Sequence, residues 1–145
     1  MAKEILSTEN VLLNETAATK EEAIRMAGQI LVDNGYVDES YLEQMQEREK
    51  ITTTYMGNSV AIPHGTEDAK KAVKHSGLSI IQLREGVDFG DGNIAKIIIG
   101  IAGKDNEHLE ILSQIAIVCS EEENVEELIQ ADSKETLISM FNEVN

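Results

Sequence analysis

Residues 94–102 read Ile-Ala-Lys-Ile-Ile-Ile-Gly-Ile-Ala, an apolar run with a single charged side chain. Its length and β-branched content predict a strand that is buried on both faces of a sheet. A second candidate strand covers residues 77–83, and the Gly-, Asp- and Asn-rich residues 86–93 between the two are typical of a turn. A third apolar run, residues 60–62, is stopped by Pro63-His64-Gly65.

Two segments before these strands have apolar residues at helical spacing. A first helix starts at Thr19, which forms a capping-box pattern with Glu22, and Gly35 ends it. A second helix begins near residues 38–40 and carries Arg48 in its last turn. The positive charge of Arg48 complements the negative end of the helix dipole there.

Further helices follow the last strand. One is predicted from a cap at Asp105 or Asn106 to Cys119, and two shorter ones cover residues 125–130 and 134–144, the last capped at residue 132 or 133. In the first of these the predicted inward stripe consists of Leu109, Leu112, Ile115, Ala116 and Cys119.

The order of these elements predicts the fold class. Strands interleaved with helices indicate an α/β domain with a central mixed β-sheet flanked by helices. The length of 145 residues and the 41% content of hydrophobic residues fit one domain with one core, residues 1–145. No internal repeat or linker interrupts it.

Composition excludes several classes of partner. The formal net charge of −15 argues against nucleic acid and against an anionic membrane surface, because both attract basic proteins. The chain has no Trp, three Tyr and two Phe, so base stacking on aromatic side chains is not expected. No stretch approaches the roughly 18 apolar residues of a membrane span, and the lone Cys119 predicts no disulfide. A cytoplasmic protein is expected.

The sequence contains no recognisable motif for binding a cofactor or a metal ion. The three histidines, at positions 64, 75 and 108, have no second His or Cys at a metal-ligand spacing. No Gly-rich nucleotide loop and no serine nucleophile motif occurs. His75 belongs to a basic, solvated stretch, and Cys119 is expected in the core and inert. We therefore predict no cofactor and no metal site.

His64 is the first candidate for chemistry. It follows a strand-like run through Pro63, and Gly65 has no Cβ to block a close approach. A ring at such an accessible strand end suits a nucleophilic nitrogen. The same tripeptide also fits a simple turn, so the residues alone leave both interpretations open.

His108 is the second candidate. It lies in the first turn of the predicted third helix, where unpaired backbone N–H groups offer a place for a phosphoryl oxygen. The positive helix end also favours a neutral imidazole. A surface histidine beside Glu107 and Glu110 fits the pattern equally well.

Arg48 also has two interpretations. Its planar guanidinium is suited to holding phosphoryl oxygens. Alternatively, it complements the end of its helix and pairs with Glu47 or Glu49. Without further information the second, structural role is favoured.

A known family shares these residues. The run of residues 48–66, REKITTTYMGNSVAIPHGT, closely resembles the phosphorylation-site region of the mannitol-class IIA component (EIIA type 2, mannitol/fructose family) of the bacterial phosphoenolpyruvate-dependent sugar phosphotransferase system. The resemblance continues upstream in residues 17–25 and downstream in residues 99–102 and 106–108. It covers nearly the whole chain, with the matching blocks in the same order.

This resemblance implies roles for three residues. His64 corresponds to the phosphorylated histidine, which reacts through Nε2, His108 to a histidine that assists transfer, and Arg48 to the active-site arginine. It implies a phosphotransferase component that takes phosphate from the phosphohistidine carrier protein HPr and passes it to a cysteine of the mannitol-type IIB (IICB) component. That cysteine is expected on another polypeptide, and the chain is expected to work beside a membrane transporter without binding sugar itself.

One alternative function remains open at this point. In a regulatory relative, the phosphorylation state of His64 would control a partner protein instead of feeding sugar uptake. The mannitol-like residues 52–66 argue against it. Transfer to a mannitol IIB domain would distinguish the two.

Overall fold

A computed structural model describes residues 4–104 and 107–141; the side chain of His108 is outside this description. The elements are the strands β1 (Val11–Leu12), β2 (Tyr55–Gly57), β3 (Val60–Ala61), β4 (Gly77–Asp88) and β5 (Ile94–Ala102), and the helices α1 (Lys20–Asp33), α2 (Tyr41–Ile51), α3 (Glu107–Cys119), α4 (Glu122–Gln130) and α5 (Lys134–Ser139). Short 3₁₀ segments cover Thr8–Asn10 and Glu67–Ala72.

The five strands form one mixed sheet in the order β1-β4-β5-β3-β2. The β4–β5 and β2–β3 pairs are antiparallel, whereas β1 runs parallel to β4 and β3 runs parallel to β5. Strand β5 lies at the centre and is buried along nearly its whole length, as its apolar run predicts. The predicted α/β class with a mixed central sheet flanked by helices is confirmed.

Hydrophobic side chains alternate between the two faces of the sheet and form two cores. Ile97, Ile99 and Ile101 of β5 face one core, which contains the buried residues of α3, α4 and α5. Ile98 and Ala102 face the other, which contains those of α1 and α2. The central sheet is therefore covered by helices on both faces.

Helix α1 begins and ends as its sequence predicts. The side chain of Thr19 accepts a hydrogen bond from the backbone N–H of Glu22. At the other end Gly35 has a φ of +80°, and the N–H groups of Gly35 and Tyr36 bond to the carbonyls of Val32 and Leu31. This pattern is a Schellman motif, which requires a left-handed residue at the glycine position.

Close packing of α1 on the sheet depends on Gly100 in β5. The Ser79 hydroxyl of β4 donates to the carbonyl of Ala27 in α1 at 2.8 Å. A Cβ on Gly100 would overlap the Ser79 hydroxyl and lie 3.0 Å from the Cβ of Ala27. The glycine therefore lets the helix and both central strands approach one another.

Several predicted boundaries were wrong. Strand β4 does not end at residue 83 but continues to Asp88, because a register shift between Gln82 and Val87 absorbs Gly86 within the strand. The turn is correspondingly shorter and is closed by a hydrogen bond from Phe89 N–H to Asn93 O. The two-residue strand β1 was not predicted.

The inward face of α3 was predicted correctly only in part. Ile115 and Cys119 are buried as predicted, and Leu112 is half-buried. Leu109 is 73% exposed and Ala116 is exposed, whereas Ile111, which was not predicted, is buried. Helix α3 carries apolar residues around most of its circumference, so their spacing does not specify one face. The predicted caps Asp105 and Asn106 lie outside the described residues.

The two closing helices differ from their predicted ranges. Helix α4 begins at Glu122 instead of residue 125, since acidic side chains are stabilised at the positive end of a helix. Helix α5 is capped by Ser133 as predicted, but it ends at Ser139. Residues 142–144 of its predicted range are outside the described residues. No helix of the described chain is both long and apolar enough to cross a membrane.

Candidate functional site

A cleft of about 550 Å³ lies between α2 and the chain that follows β3. Among the residues that line it are Tyr41, Gln44, Arg48, Ile51, His64 and Thr66. Two of the three predicted site residues, His64 and Arg48, therefore meet in one cleft. Sixteen positions separate them in the sequence, and the tertiary fold brings them together.

One face of α2 forms the first wall of the cleft. Tyr41, Gln44, Arg48 and Ile51 follow one another at intervals of three or four residues, which places them on the same side of a helix. Ile51 at the end of this row is 72% exposed. The helix thus presents a hydroxyl, an amide, a guanidinium and an apolar side chain to the cleft.

His64 lies where β3 leaves the sheet. Its backbone pairs with Ile101 of β5 in a parallel bridge, and Ile101 N–H donates to Pro63 O at 2.9 Å. The ring is therefore at the carboxyl ends of the parallel strands β3 and β5, the edge at which α/β sheets commonly bind ligands. This agrees with the predicted position at a strand end.

The imidazole of His64 is held by its own chain. Nδ1 is 2.8 Å from the carbonyl oxygen of Ile62. A carbonyl only accepts hydrogen bonds, so Nδ1 carries the proton in this contact. In the neutral ring the lone pair is then on Nε2.

The surroundings of His64 favour that neutral ring. Burial lowers the pKa of His64 below its usual value of 6.5, and the positive charge of Arg48 lowers it further. The hydrogen bond to Ile62 and the charge of Glu49 act in the opposite direction without reversing the shift. At neutral pH the imidazole is therefore uncharged and nucleophilic.

We expect His64 to titrate below pH 6.5 in an NMR titration of its Cε1–H signal, with a peptide of residues 60–68 as the reference. The folded state has the lower pKa, so the unfolded chain takes up the proton first as the pH falls. The contribution of His64 to stability is thus present above pH 6.5 and is lost between there and the folded pKa. A midpoint at or above that of the peptide would contradict this expectation.

Arg48 is half-buried in the cleft wall. Its Nη1 donates to the carbonyl oxygen of Thr52 at 2.7 Å, just beyond the end of α2. The alternative pairing with Glu47 or Glu49 is not found, because Glu47 lies 3.4 Å from Lys50 Nζ and Glu49 lies 3.6 Å from Lys20 Nζ. Arg48 does complement the end of its helix. The hydrogen bond to Thr52 holds the guanidinium at the wall of the cleft.

His108 is in the first turn of α3, as predicted. Its side chain lies outside the described residues, so its placement relative to His64 remains a prediction. Gly103 lines the cleft, and α3 begins at Glu107. The positive end of α3 therefore follows a residue of the cleft wall by four positions along the chain.

Sequence reasoning missed polar groups that support the cleft. The hydroxyl of Tyr41 accepts from Gly65 N–H at 2.9 Å and donates to Ile101 O at 2.8 Å. The Thr66 hydroxyl donates to Gln44 Oε1 at 2.7 Å. Tyr41 and Gln44 fall within the predicted second helix, and the spacing of residues in that helix gives no signal for either contact.

The remaining candidates keep their structural interpretation. His75 is exposed and does not line the cleft. Cys119 is 1% exposed, and burial raises the pKa of its thiol to about 12, so it is not a nucleophile at neutral pH. Within residues 4–104 and 107–141, no group of three His, Cys, Asp or Glu side chains is placed to hold a metal ion.

Known proteins are similar to this chain in sequence. Residues 4–144 match the family described as "Phosphoenolpyruvate-dependent sugar phosphotransferase system, EIIA 2". The chain is 66% identical over 145 residues to the mannitol-specific phosphotransferase enzyme IIA component of Geobacillus stearothermophilus, and the alignment covers 100% of both proteins.

Solved structures share the fold. The crystal structure of IIA mannitol from Escherichia coli has a TM-score of 0.88 and 42% identity, over 94% of this chain and 98% of that one. The complex of enzyme IIAMTL with phosphorylated enzyme IIBMTL from the same organism contains a chain with a TM-score of 0.90 and 41% identity, over 95% and 97% of the two chains.

Proposed function

The chain belongs to the EIIA 2 family of the phosphoenolpyruvate-dependent sugar phosphotransferase system, and from this we propose that it carries a phosphoryl group on His64. The group comes from the phosphohistidine carrier protein HPr and goes to a cysteine of a mannitol-type IIB component. The observation that carries the proposal is the Nδ1 contact of His64 with Ile62, which places the lone pair of a neutral ring on Nε2, the nitrogen that attacks.

The first transfer forms one bond and breaks one. The Nε2 lone pair of His64 bonds to phosphorus while the phosphorus–nitrogen bond of the donor phosphohistidine breaks, and its electron pair stays on the donor. Nδ1 keeps its proton and its contact with Ile62. In the second transfer a thiolate of the IIB component attacks the same phosphorus, and Nε2 is the leaving nitrogen.

The charge of the transferred group requires positive partners. Three equatorial oxygens carry negative charge in the transition state, and fixed donors stabilise it by positioning and electrostatics. Arg48 and His108 have this role in our proposal, together with the positive end of α3. The net charge of −15 makes such local donors necessary, because the rest of the protein repels an anion.

The names of the relatives supply the expected substrate class. The Geobacillus relative is called mannitol-specific, and a structural relative was solved with a phosphorylated IIB protein. We extend both properties to this chain, with residues 1–145 acting as one EIIA domain. Mannitol would be bound and phosphorylated by the other components and not by this one.

A reconstituted phosphorylation tests the proposal. The chain is incubated with phosphoenolpyruvate, enzyme I and the carrier protein, and its intact mass is measured. We expect one added phosphoryl group that is lost in acid. Addition of a mannitol IIB domain should then move the group to that domain, whereas a regulatory protein would keep it. A chain that gains no phosphate would refute the proposal.

We expect the substitution His108→Ala to leave His64 phosphorylated but to slow the transfer to the IIB domain. The loss of one donor to a developing anion typically costs about 100-fold or more in rate. Rapid-quench measurement of the transfer tests this, with His75→Ala as the matched control because His75 is exposed and outside the cleft. Equal rates for the two variants would show that His108 is only structural.

A further inference from the structure

We propose that Tyr41 is a positioning residue that fixes the backbone directly after His64 and thereby the direction of its imidazole. This inference rests on the proposed function of His64 but concerns a residue outside the predicted transfer site. Tyr41 is 3% exposed, so it acts on His64 through the backbone and not by contact with a partner protein.

The hydroxyl of Tyr41 is inserted into one backbone hydrogen bond of the parallel pairing between His64 and β5. In a regular parallel pair, Ile101 opposite His64 would bond through its N–H to Pro63 O and through its carbonyl to Gly65 N–H. The first bond is present at 2.9 Å. In place of the second, Gly65 N–H donates to the Tyr41 hydroxyl at 2.9 Å, and that hydroxyl donates to Ile101 O at 2.8 Å.

This inserted hydroxyl lets the chain leave the sheet without losing a hydrogen bond. Strand β3 ends at Ala61, and the chain after His64 diverges from β5 to form the far wall of the cleft. Gly65 N–H and Ile101 O would otherwise be left without this partner in a partly buried place. Tyr41 thus satisfies both groups and links Gly65 to Ile101, the residue of β5 whose N–H bonds directly to Pro63 O.

The ring of Tyr41 adds a steric constraint. A Cβ on Gly65 would lie 2.6 Å from Cε1 of Tyr41 and 2.9 Å from the Cβ of Ala69. The backbone after His64 is therefore pressed against the tyrosine ring, at a distance that only glycine permits. This contact gives the Pro63-His64-Gly65 sequence a physical reason for its glycine.

The contact also links the two walls of the site. Tyr41 is in the first turn of α2, and Arg48 is two turns later on the same face. The bond from Tyr41 to Gly65 therefore sets the distance between the helix that carries Arg48 and the strand end that carries His64. Burial raises the pKa of Tyr41 to about 12, so the hydroxyl keeps the proton that it donates.

The variant Tyr41→Phe tests the inference, and Tyr36→Phe is its matched control. Tyr36 is 2% exposed, and its hydroxyl also donates to a backbone carbonyl, that of Glu4, and accepts from a nitrogen, Asn10 Nδ2. Both variants therefore remove a hydroxyl that donates one hydrogen bond and accepts another. Only Tyr41→Phe removes a hydroxyl beside His64.

Four readouts separate positioning from general stability. We expect Tyr41→Phe, relative to Tyr36→Phe, to lower the maximal phosphoryl-transfer rate about 10-fold or more, because small misplacements of a reacting group are costly. The KM for the phosphorylated carrier protein should stay the same. The ¹⁵N signals of the His64 ring should shift in Tyr41→Phe alone. In the wild type, Gly65 N–H should exchange slowly with solvent.

The outcomes keep this inference distinct from the proposed function. Unchanged His64 signals in Tyr41→Phe, equal transfer rates in the two variants, or fast exchange of Gly65 N–H would each overturn it. If the wild type accepts no phosphate, the proposed function fails, and the ring signals and the amide exchange still decide whether Tyr41 positions His64. The exchange measurement needs no variant, so it holds even if Tyr41→Phe folds poorly.

Discussion

The substitution His64→Ala is expected to abolish phosphorylation of this chain. Among the described residues that line the cleft, His64 alone combines a neutral nitrogen nucleophile with a lowered pKa. Burial and the charge of Arg48 keep its imidazole uncharged, and Ile62 fixes its tautomer. Intact mass after incubation with phosphoenolpyruvate, enzyme I and the carrier protein should show no acid-labile phosphoryl group in this variant.

The control for this experiment is His75→Ala. His75 is an exposed histidine outside the cleft, so its loss should leave the phosphate gain unchanged. His64→Ala should remain folded, because the ring is only partly buried and its bond to Ile62 is local to the chain. A full phosphate gain in folded His64→Ala would move the acceptor to another residue and refute our assignment.

The substitution Arg48→Ala is expected to have the second largest effect. Removal of a fixed cation from the transferred phosphoryl group should lower both the acceptance and the donation of phosphate by about 100-fold or more. The variant also loses the bond from Nη1 to Thr52 O, which lowers the free energy of unfolding by about 1 kcal/mol. Quenched-flow measurement of each transfer gives the rates, and chemical denaturation gives the stability.

Two further variants sharpen the Arg48 experiment. Arg48→Lys keeps the charge but not the planar fork, so its rate should lie between those of the wild type and Arg48→Ala. Arg25→Ala removes an exposed arginine from α1 and should transfer at the wild-type rate. The midpoint of the His64 titration should rise in Arg48→Ala, since the charge of Arg48 lowers the pKa of His64. If Arg48→Ala transferred phosphate at the wild-type rate, the proposed role of Arg48 in transfer would be wrong, and only its hydrogen bond to Thr52 would remain.

Local signals in the sequence predicted those parts of the fold that local interactions determine. The Thr19–Glu22 cap and the Gly35 stop define α1 through hydrogen bonds within a few residues. Strand β5 was correct to the residue because its length, its β-branched side chains and the turn residues before it favour a buried strand over a helix. The family resemblance is confirmed over residues 4–144.

Features that depend on neighbouring elements were not predictable in this way. Strand β1 has only two residues and exists because β4 offers a parallel partner. The buried face of α3 is chosen by the sheet beneath it, since apolar side chains surround much of the helix. The extension of β4 to Asp88 depends on its pairing with β5 across a register shift.

The sequence by itself determined the class of the fold, the caps of α1 and α5, the central buried strand and, through the family resemblance, His64, Arg48 and His108 as candidates for one site. Only the tertiary structure brought His64 and Arg48 into one cleft, fixed the tautomer of His64 and inserted the Tyr41 hydroxyl between Gly65 and Ile101. The physical reason is the range of the interactions. Caps and apolar runs act over a few residues, whereas Tyr41 and Ile101 meet across 60 positions, and no local pattern records such a contact.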